Sequence, residues 1–287
     1  MTPMKTKFGH ALTSGRLVLT AECLPPRSGG AEAIKKLSAV LAPGLDAVVV
    51  ADNPDEIHGS ALACAALLAR EGREAVLTMT TRDRNRVALE SEALGAAALG
   101  IGAILCLSGN HQSLGVCPQA AGVNDIDSTQ LTQALKGLDL PEMVIGAVAH
   151  PYQQPLELNL IRLKKKIAAG ADFLLTQPVF DMAGFTLWMD SVRAAGLDSR
   201  AAIIASVLPL TSVEKAEALR LRQTYGPLDE AVVARLAKAS DAAKEGLAMA
   251  AEIAAQLKTV PGVRGIHILS GGCEEVTGGV IQAAGLT

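Results

Sequence analysis

Aromatic residues are scarce in this chain, at 2% of its 287 residues, although 49% of the residues are hydrophobic. The core must therefore be built from Ala, Leu, Val and Ile, which is typical of barrel interiors and argues against an aromatic-rich sandwich. The chain also lacks a large excess of charge of either sign, because it has 26 basic and 29 acidic residues. This balance excludes the basic field of a nucleic-acid-binding protein and favours a small molecule as the ligand.

The sequence also lacks a run of about 18 apolar residues and an N-terminal apolar segment of the signal-peptide kind, so we expect a cytoplasmic protein without a membrane anchor. The five cysteines are widely scattered and include no Cys-x-x-Cys pair. They are predicted to be reduced thiols rather than ligands of zinc or of an iron–sulfur cluster.

Short β-rich runs alternate with longer amphipathic stretches, as expected when each parallel strand is reached through a crossover helix. The predicted strands are 17–22, 46–51, 75–80, 102–107, 143–149, 172–177, 201–206 and 264–269. Eight strands favour closure into a (β/α)8 TIM barrel, which commonly needs about 250 residues. We therefore expect residues 1–287 to form one barrel domain.

Local signals support this prediction. Asp127 and Gln130 resemble a capping box ahead of a helix near 128–137, and Gly170 stands where the helix after the fifth strand should end. Two segments exceed the minimal barrel. They are a long loop at 109–126, and an Ala-rich helical stretch at 226–258 before the last strand, which we interpret as a packing or oligomer surface.

Polar side chains collect where the predicted strands end, and that is where barrel enzymes carry their chemistry. Glu22 is the most informative of them, because it ends an apolar strand just before a Pro-Pro turn; a rim ion pair with Arg27 is the alternative. The others include Asp52, Asn53, Thr78, Thr80, Thr81, Ser108, Asn110, His111, His150, Gln177, His267 and Ser270. The histidines lack metal-ligand spacing, and no standard nucleotide motif follows a strand. The residues alone predict a barrel enzyme with one carboxylate as acid or base.

Five strings of residues carry a more specific resemblance. They are Ala21-Glu22-Cys23-Leu24-Pro25-Pro26-Arg27, Leu107-Ser108-Gly109-Asn110, Ala149-His150-Pro151, Leu163-Lys164-Lys165-Lys166 with Ala168-Gly170-Ala171, and Thr176-Gln177-Pro178-Val179-Phe180-Asp181. In this order and spacing, from about residue 15 to 285, the chain resembles the methylenetetrahydrofolate reductase family. It is most similar to the short bacterial branch found in acetogen-like pathways.

The resemblance implies reduction of 5,10-methylenetetrahydrofolate to 5-methyltetrahydrofolate by a reduced flavin, FAD or FMN. Electrons would come from NAD(P)H or from a partner iron–sulfur subunit. Glu22 matches the family's general acid, which protonates N10 so that the imidazolidine ring opens to an iminium ion. Gln177 and Asn110 match positions that contact the folate.

The resemblance also implies a flavin site. Its residues would be Ser108, Gly109 and Asn110 along the ring, together with His150, Asn159, Arg162, Lys165 and Lys166 near the ribityl and phosphate groups. Four positions depart from the family pattern: Asn110 replaces an Asp, Ala51 a Thr, Val76 a His and Val213 an aromatic residue. Loss of the charge at Asn110 should make flavin reduction easier. The other losses leave open whether FAD, FMN or no flavin is tightly held.

The sequence leaves two alternatives to a flavin-dependent reductase open. One is a flavin-independent enzyme on the same folate, either a direct nicotinamide-dependent reductase or a folate methyl-group module. The other is a non-catalytic folate-binding subunit of a partner complex, docked through 226–258. The presence of Glu22 and Gln177 argues against this second alternative, because a scaffold has no chemical need for the acid. We also expect the chain to form an oligomer.

Overall fold

The computed structural model describes residues 6–54, 56–111, 113, 117–138, 140, 142–222 and 225–286. Eight parallel strands pair in chain order, and the pairing of the last strand with the first closes a barrel. The strands are β1 Val18–Cys23, β2 Ala47–Val50, β3 Ala75–Thr80, β4 Ala103–Leu107, β5 Val144–Ala149, β6 Phe173–Pro178, β7 Ala202–Val207 and β8 Val263–Ile268. The predicted (β/α)8 TIM barrel is confirmed, and each predicted strand end lies within one residue of the observed one.

Helices cover the outside of the barrel. They are α1 Lys7–Thr13, α2 Gly30–Val40, α3 Ala61–Arg70, α4 Arg86–Ala98, α5 Ser128–Gly137, α6 Leu156–Ala168, α7 Met182–Ala194, α8 Val213–Arg222, α9 Glu230–Lys238, α10 Ala242–Leu257 and α11 Val276–Ala283. The predicted capping box is present at the start of α5, where Asp127 accepts from the backbone N–H of Gln130. Among the described residues, no helix is long and apolar enough to cross a membrane.

The predicted helical stretch over 226–258 is present between β7 and β8. It contains two helices, α9 and α10, because Asp241 accepts from the backbone N–H of Lys244 and starts a new helix. Helix α8 precedes them and was not predicted. An uninterrupted Ala-rich composition hides such a break, which a single capping side chain is sufficient to make.

Apolar side chains fill the N-terminal half of the barrel interior. Phe173 points inward from β6 and packs edge-on against Phe8 of α1, with ring centroids 5.2 Å apart. Both side chains are fully buried. Gly146 makes room for Phe173, since a Cβ there would lie 2.2 Å from its ring. Helix α1, which the sequence did not predict, thus adds Phe8 to the core at this end.

The interior becomes polar towards the C-terminal ends of the strands. Thr20, Ser206 and His267 occupy matching positions on β1, β7 and β8 and are buried. Two residues further along β1, and therefore on the same side of the strand, comes Glu22. The change from apolar to polar side chains makes the C-terminal end of the barrel the place for a site.

Candidate active site

A cavity of about 280 Å³ opens at the C-terminal ends of the strands. Among the residues that line it are seven of the ten site residues that the family resemblance implies: Glu22, Ser108, Gly109, Asn110, His150, Lys166 and Gln177. They come from β1, β6, α6 and the loops that follow β4 and β5, and only closure of the barrel brings these segments together. A second cavity of about 290 Å³ shares Glu22 and Tyr225 with the first and is lined by apolar residues such as Leu208 and Leu219.

Glu22 is half-buried and lines both cavities. A ligand in either cavity can therefore reach its carboxylate. The backbone that follows it is held by Glu274, whose Oε1 accepts from Leu24 N at 3.0 Å. Arg27, considered above as a rim partner of Glu22, forms an ion pair with Glu56 at 2.7 Å.

Asp52, at the end of β2, is a structural carboxylate. Its Oδ2 accepts from the backbone N–H of Thr80 at 2.9 Å and pairs with Arg84, which also binds Glu92. Because these partners satisfy the Asp52 charge, Asp52 ties β2 to β3 and α4 and is a poor candidate for proton transfer.

Arg82 holds two of the loops around the cavity. Its guanidinium donates to the carbonyl of Asn53 at 3.2 Å and to the carbonyl of Asn110 at 3.3 Å. Gly109 is pressed against the same region, since a Cβ there would lie 2.5 Å from Cγ2 of Thr80. The arginine-rich string that follows β3 was the available signal for this arrangement, but sequence reasoning gave Arg82 and Arg84 no role.

Positive charge borders the cavity beside β5. Lys166 is half-buried, and its Nζ donates to the carbonyl of Val148 at 2.6 Å. Burial lowers the pKa of Lys166, and Arg162 adds to that lowering while Asp127 opposes it. Desolvation lowers the pKa of His150, and the charges of Lys166 and Arg162 lower it further, although solvent screening moderates the shift because His150 is exposed at the rim of the cavity. At neutral pH His150 is therefore an uncharged imidazole beside two cations.

The structure does not bring every predicted residue to the cavity wall. Asn159 is 4% exposed, and its amide donates to the carbonyls of His150 and Gln153 and accepts from Trp188 Nε1. It therefore shapes the loop after β5 from inside the protein. The side chains of Arg162 and Lys165 are exposed and are absent from the lining of this cavity. Arg162 is nevertheless close enough to act on His150 electrostatically.

Tyr225 is a lining residue that sequence reasoning missed. It lies in the loop between α8 and α9 and borders both cavities that Glu22 borders. No local pattern indicated this, because the loop reaches the site only through the fold. Tyr225 supplies an aromatic ring to a site in which Val213, in place of the family's aromatic residue, had suggested the loss of one.

No group of three or more His, Cys, Asp or Glu side chains in the described part of the chain is placed to hold a metal ion. Cys106 lines the cavity, but burial raises the pKa of its thiol to about 12. It therefore stays protonated at neutral pH and is a weak nucleophile.

Comparison with known proteins identifies the family of this chain. The family described as "Methylenetetrahydrofolate reductase" matches residues 7–285. The chain is 28% identical over 208 residues to the 5,10-methylenetetrahydrofolate reductase of Pectobacterium carotovorum subsp. carotovorum, an alignment that covers 70% of this chain and 67% of that protein. It is 26% identical over 214 residues to the enzyme of the same name from Escherichia coli K12, covering 72% and 69%.

Among solved structures, one similar protein is an uncharacterized protein from Clostridium thermocellum whose structure is described as binding two copies of 5-methyl-5,6,7,8-tetrahydrofolic acid. The TM-score is 0.68 at 12% identity, and the match covers 96% of this chain and 97% of that one. At this identity the likeness shows the fold alone. The match over residues 7–285 establishes more, and the chain belongs to the methylenetetrahydrofolate reductase family.

Proposed function

We propose that this protein reduces 5,10-methylenetetrahydrofolate to 5-methyltetrahydrofolate with a reduced flavin as hydride donor, and that Glu22 is the general acid. The observation that carries the proposal is that Glu22 and Gln177 line one cavity in a chain of this family. The names of the relatives from Pectobacterium and Escherichia support the same reaction.

The residues present fit a flavin. Lys166 lies in the cavity wall with a backbone carbonyl as hydrogen-bond partner, and within the described residues it forms no salt bridge with a carboxylate. A half-buried ammonium with Arg162 nearby suits a phosphate group, which FAD and FMN both carry. Ser108 and Gly109 offer a small, accessible loop on which a flat ring can lie. The bound flavin would supply the hydride.

Glu22 performs the proton chemistry in this proposal. Its carboxyl group donates a proton to N10 of the substrate, and the C–N10 bond of the five-membered ring breaks to leave the iminium ion at N5. Because Glu22 lines two cavities, the pterin would lie in one while the remainder of the folate continues into the other, whose lining is mostly apolar.

Gln177 orients the substrate. Its side-chain amide carries both a donor and an acceptor, which suits the alternating edge of a pterin. His150, uncharged at neutral pH, borders the cavity without adding a third cation beside Lys166 and Arg162. We propose that the electrons come from NAD(P)H or from a partner subunit. Adding each donor separately to the flavin-loaded protein identifies the one that reduces the flavin.

The proposal is tested first by the absorption spectrum of the purified protein after incubation with FAD or FMN. Flavin bands that are bleached by dithionite, and that return when methylenetetrahydrofolate is added without oxygen, are the expected result. A protein that stays colourless yet reduces the folate with NAD(P)H would replace the flavin mechanism by direct hydride transfer.

The role of Glu22 is tested by Glu22→Gln, which keeps the size of the side chain and removes the proton. We expect folate affinity to change little and turnover to fall by about 10²–10⁴-fold, the usual contribution of a general acid. Glu32→Gln is the matched control, because Glu32 is exposed on α2. Turnover at the wild-type rate in Glu22→Gln would remove Glu22 from the mechanism.

A further inference from the structure

His267 is a buried histidine that the proposed mechanism does not use. It projects into the barrel from β8, its side chain is 1% exposed, and it lines the same cavity as Glu22. Its register partners are Thr20 on β1 and Ser206 on β7. The ring is fixed on one side, because Nδ1 lies 2.9 Å from Thr20 Oγ1.

The contact with Thr20 decides which ring nitrogen carries the hydrogen. The Thr20 hydroxyl is buried, and among the described residues Nδ1 of His267 is its hydrogen-bond partner. A buried hydroxyl that donates to nothing is costly, which favours donation from the Thr20 hydroxyl to Nδ1. In that arrangement the hydrogen of the neutral imidazole is on Nε2. Burial lowers the pKa of His267 to about 3, so the ring stays neutral at physiological pH.

The Nε2 atom of His267 borders the cavity. Within the described part of the chain Nε2 forms no hydrogen bond, yet the fully buried side-chain nitrogen that lacks a partner there is Arg84 Nε and not Nε2 of His267. Nε2 therefore keeps a small accessible area, and we assign that area to the cavity that His267 lines. Its neighbour Ser206 is already engaged, since its hydroxyl donates to the carbonyl of Thr176 at 2.6 Å.

We propose that Nε2–H of His267 donates a hydrogen bond to an uncharged acceptor, a carbonyl oxygen or ring nitrogen, on the fused heterocycle that binds in this cavity, and so sets its orientation. The inference rests on the proposed function. Thr20 lies two residues before Glu22 on the same side of β1. His267 is the register partner of Thr20, so its donor lies one layer of side chains closer to the N-terminal end of the barrel than Glu22 does. Isoalloxazine and pterin rings both carry such acceptors, and the experiment distinguishes them.

Two substitutions separate the two ring nitrogens. In His267→Asn the side-chain amide can occupy the Nδ1 position and keep the contact with Thr20, but the donor at Nε2 is lost. In His267→Gln an amide N–H can reach the Nε2 position. Dissociation constants are measured by titration with FMN, FAD and 5-methyltetrahydrofolate separately. We expect His267→Asn to bind either the flavins or the folate about tenfold more weakly, and His267→Gln to stay within about threefold of wild type.

A second measurement does not depend on activity or on a substitution. In protein labelled with ¹⁵N-histidine, we expect the free protein to show His267 as the Nε2–H tautomer, and the Nε2 resonance to move when the acceptor-bearing ligand is added. Movement with FMN assigns the acceptor to the flavin, and movement with 5-methyltetrahydrofolate alone assigns it to the folate.

Three results would overturn the proposal: an Nδ1–H tautomer, an Nε2 resonance that neither ligand moves, or wild-type affinities for both ligands in His267→Asn. These are distinct from failure of the proposed function. If the wild-type protein binds neither a flavin nor the folate, both proposals fall together. If the wild type binds them and His267→Asn binds them equally well, only the role of His267 is rejected.

Discussion

Lys165 and Lys166 show how adjacent residues on one helix acquire different roles. Successive residues of an α-helix point about 100° apart, so only one of the two can face the barrel. The structure places Lys166 at the cavity and leaves Lys165 exposed on the outer face of α6. The resemblance to the family named both as flavin contacts, and the fold gives a physical reason to expect the phosphate contact at Lys166.

This leads to a prediction with an internal control. Lys166→Met should weaken FMN binding by about tenfold or more, because a charge-assisted hydrogen bond to phosphate is lost. Lys165→Met removes the same charge one residue earlier and should leave the dissociation constant within about twofold. Both are measured by quenching of flavin fluorescence at low and moderate salt. Equal losses in the two variants would indicate a general charge effect rather than a phosphate contact.

At the scale of elements, the junction of β4 with its following loop is tightly constrained at Gly109. Gly109 has a φ of 82°, in the left-handed region, and a Cβ there would lie 2.5 Å from Thr80 Cγ2 and 3.2 Å from Arg82 Cβ. Arg82 in turn binds the carbonyl of Asn110. The loop therefore needs a glycine for two independent reasons, its backbone conformation and the lack of space for a Cβ.

Gly109→Ala should accordingly lower the free energy of unfolding by about 1–3 kcal/mol. Gly137→Ala is the matched control. Gly137 is the last residue of α5, has no positive φ, and would have no atom within 4 Å of an added Cβ. Alanine at this position should therefore leave the free energy of unfolding unchanged or raise it by less than about 1 kcal/mol. Urea denaturation measures both. A Gly109→Ala protein as stable as wild type would show that the loop can relax away from β3.

For the molecule as a whole, the barrel interior imposes a pH dependence on stability. The unfolded chain binds a proton at His267 near pH 6.5, whereas the folded chain keeps this ring neutral down to about pH 3. Below pH 6.5 the unfolded state therefore binds more protons, and stability falls as the pH is lowered. The lowered pKa of His150 also makes the folded protein less stable as the pH falls, but His150 is exposed at the rim, and solvent screening reduces this contribution.

From His267 alone we expect the free energy of unfolding to fall by about 2 kcal/mol between pH 7 and pH 5, on the scale of about 1.4 kcal/mol per unit of pKa difference. In His267→Gln this part of the pH dependence should be absent. Urea denaturation at several pH values compares the two slopes. An unchanged slope in the variant would mean that His267 takes up its proton in the folded state.

The architecture was predictable from the sequence because strand and helix periodicity are local properties. Eight β-rich runs, separated by segments long enough for a crossover helix, predict a closed barrel. The ends of its strands then point to Glu22 and Gln177 as candidate site residues. Capping by Asp127 was equally local and equally predictable. Family motifs added the chemistry, since they consist of short strings at those same strand ends.

Only the tertiary structure decided which side chains face one another across the barrel. Helix α1 adds Phe8 to the interior, Tyr225 reaches the cavity from a distant loop, and Asn159 turns inward to support the loop after β5. The pairing of Thr20 with His267 joins residues 247 positions apart. Such contacts depend on strand register and on the closure of the barrel, which no local pattern encodes, because they arise only when all eight strands share one interior.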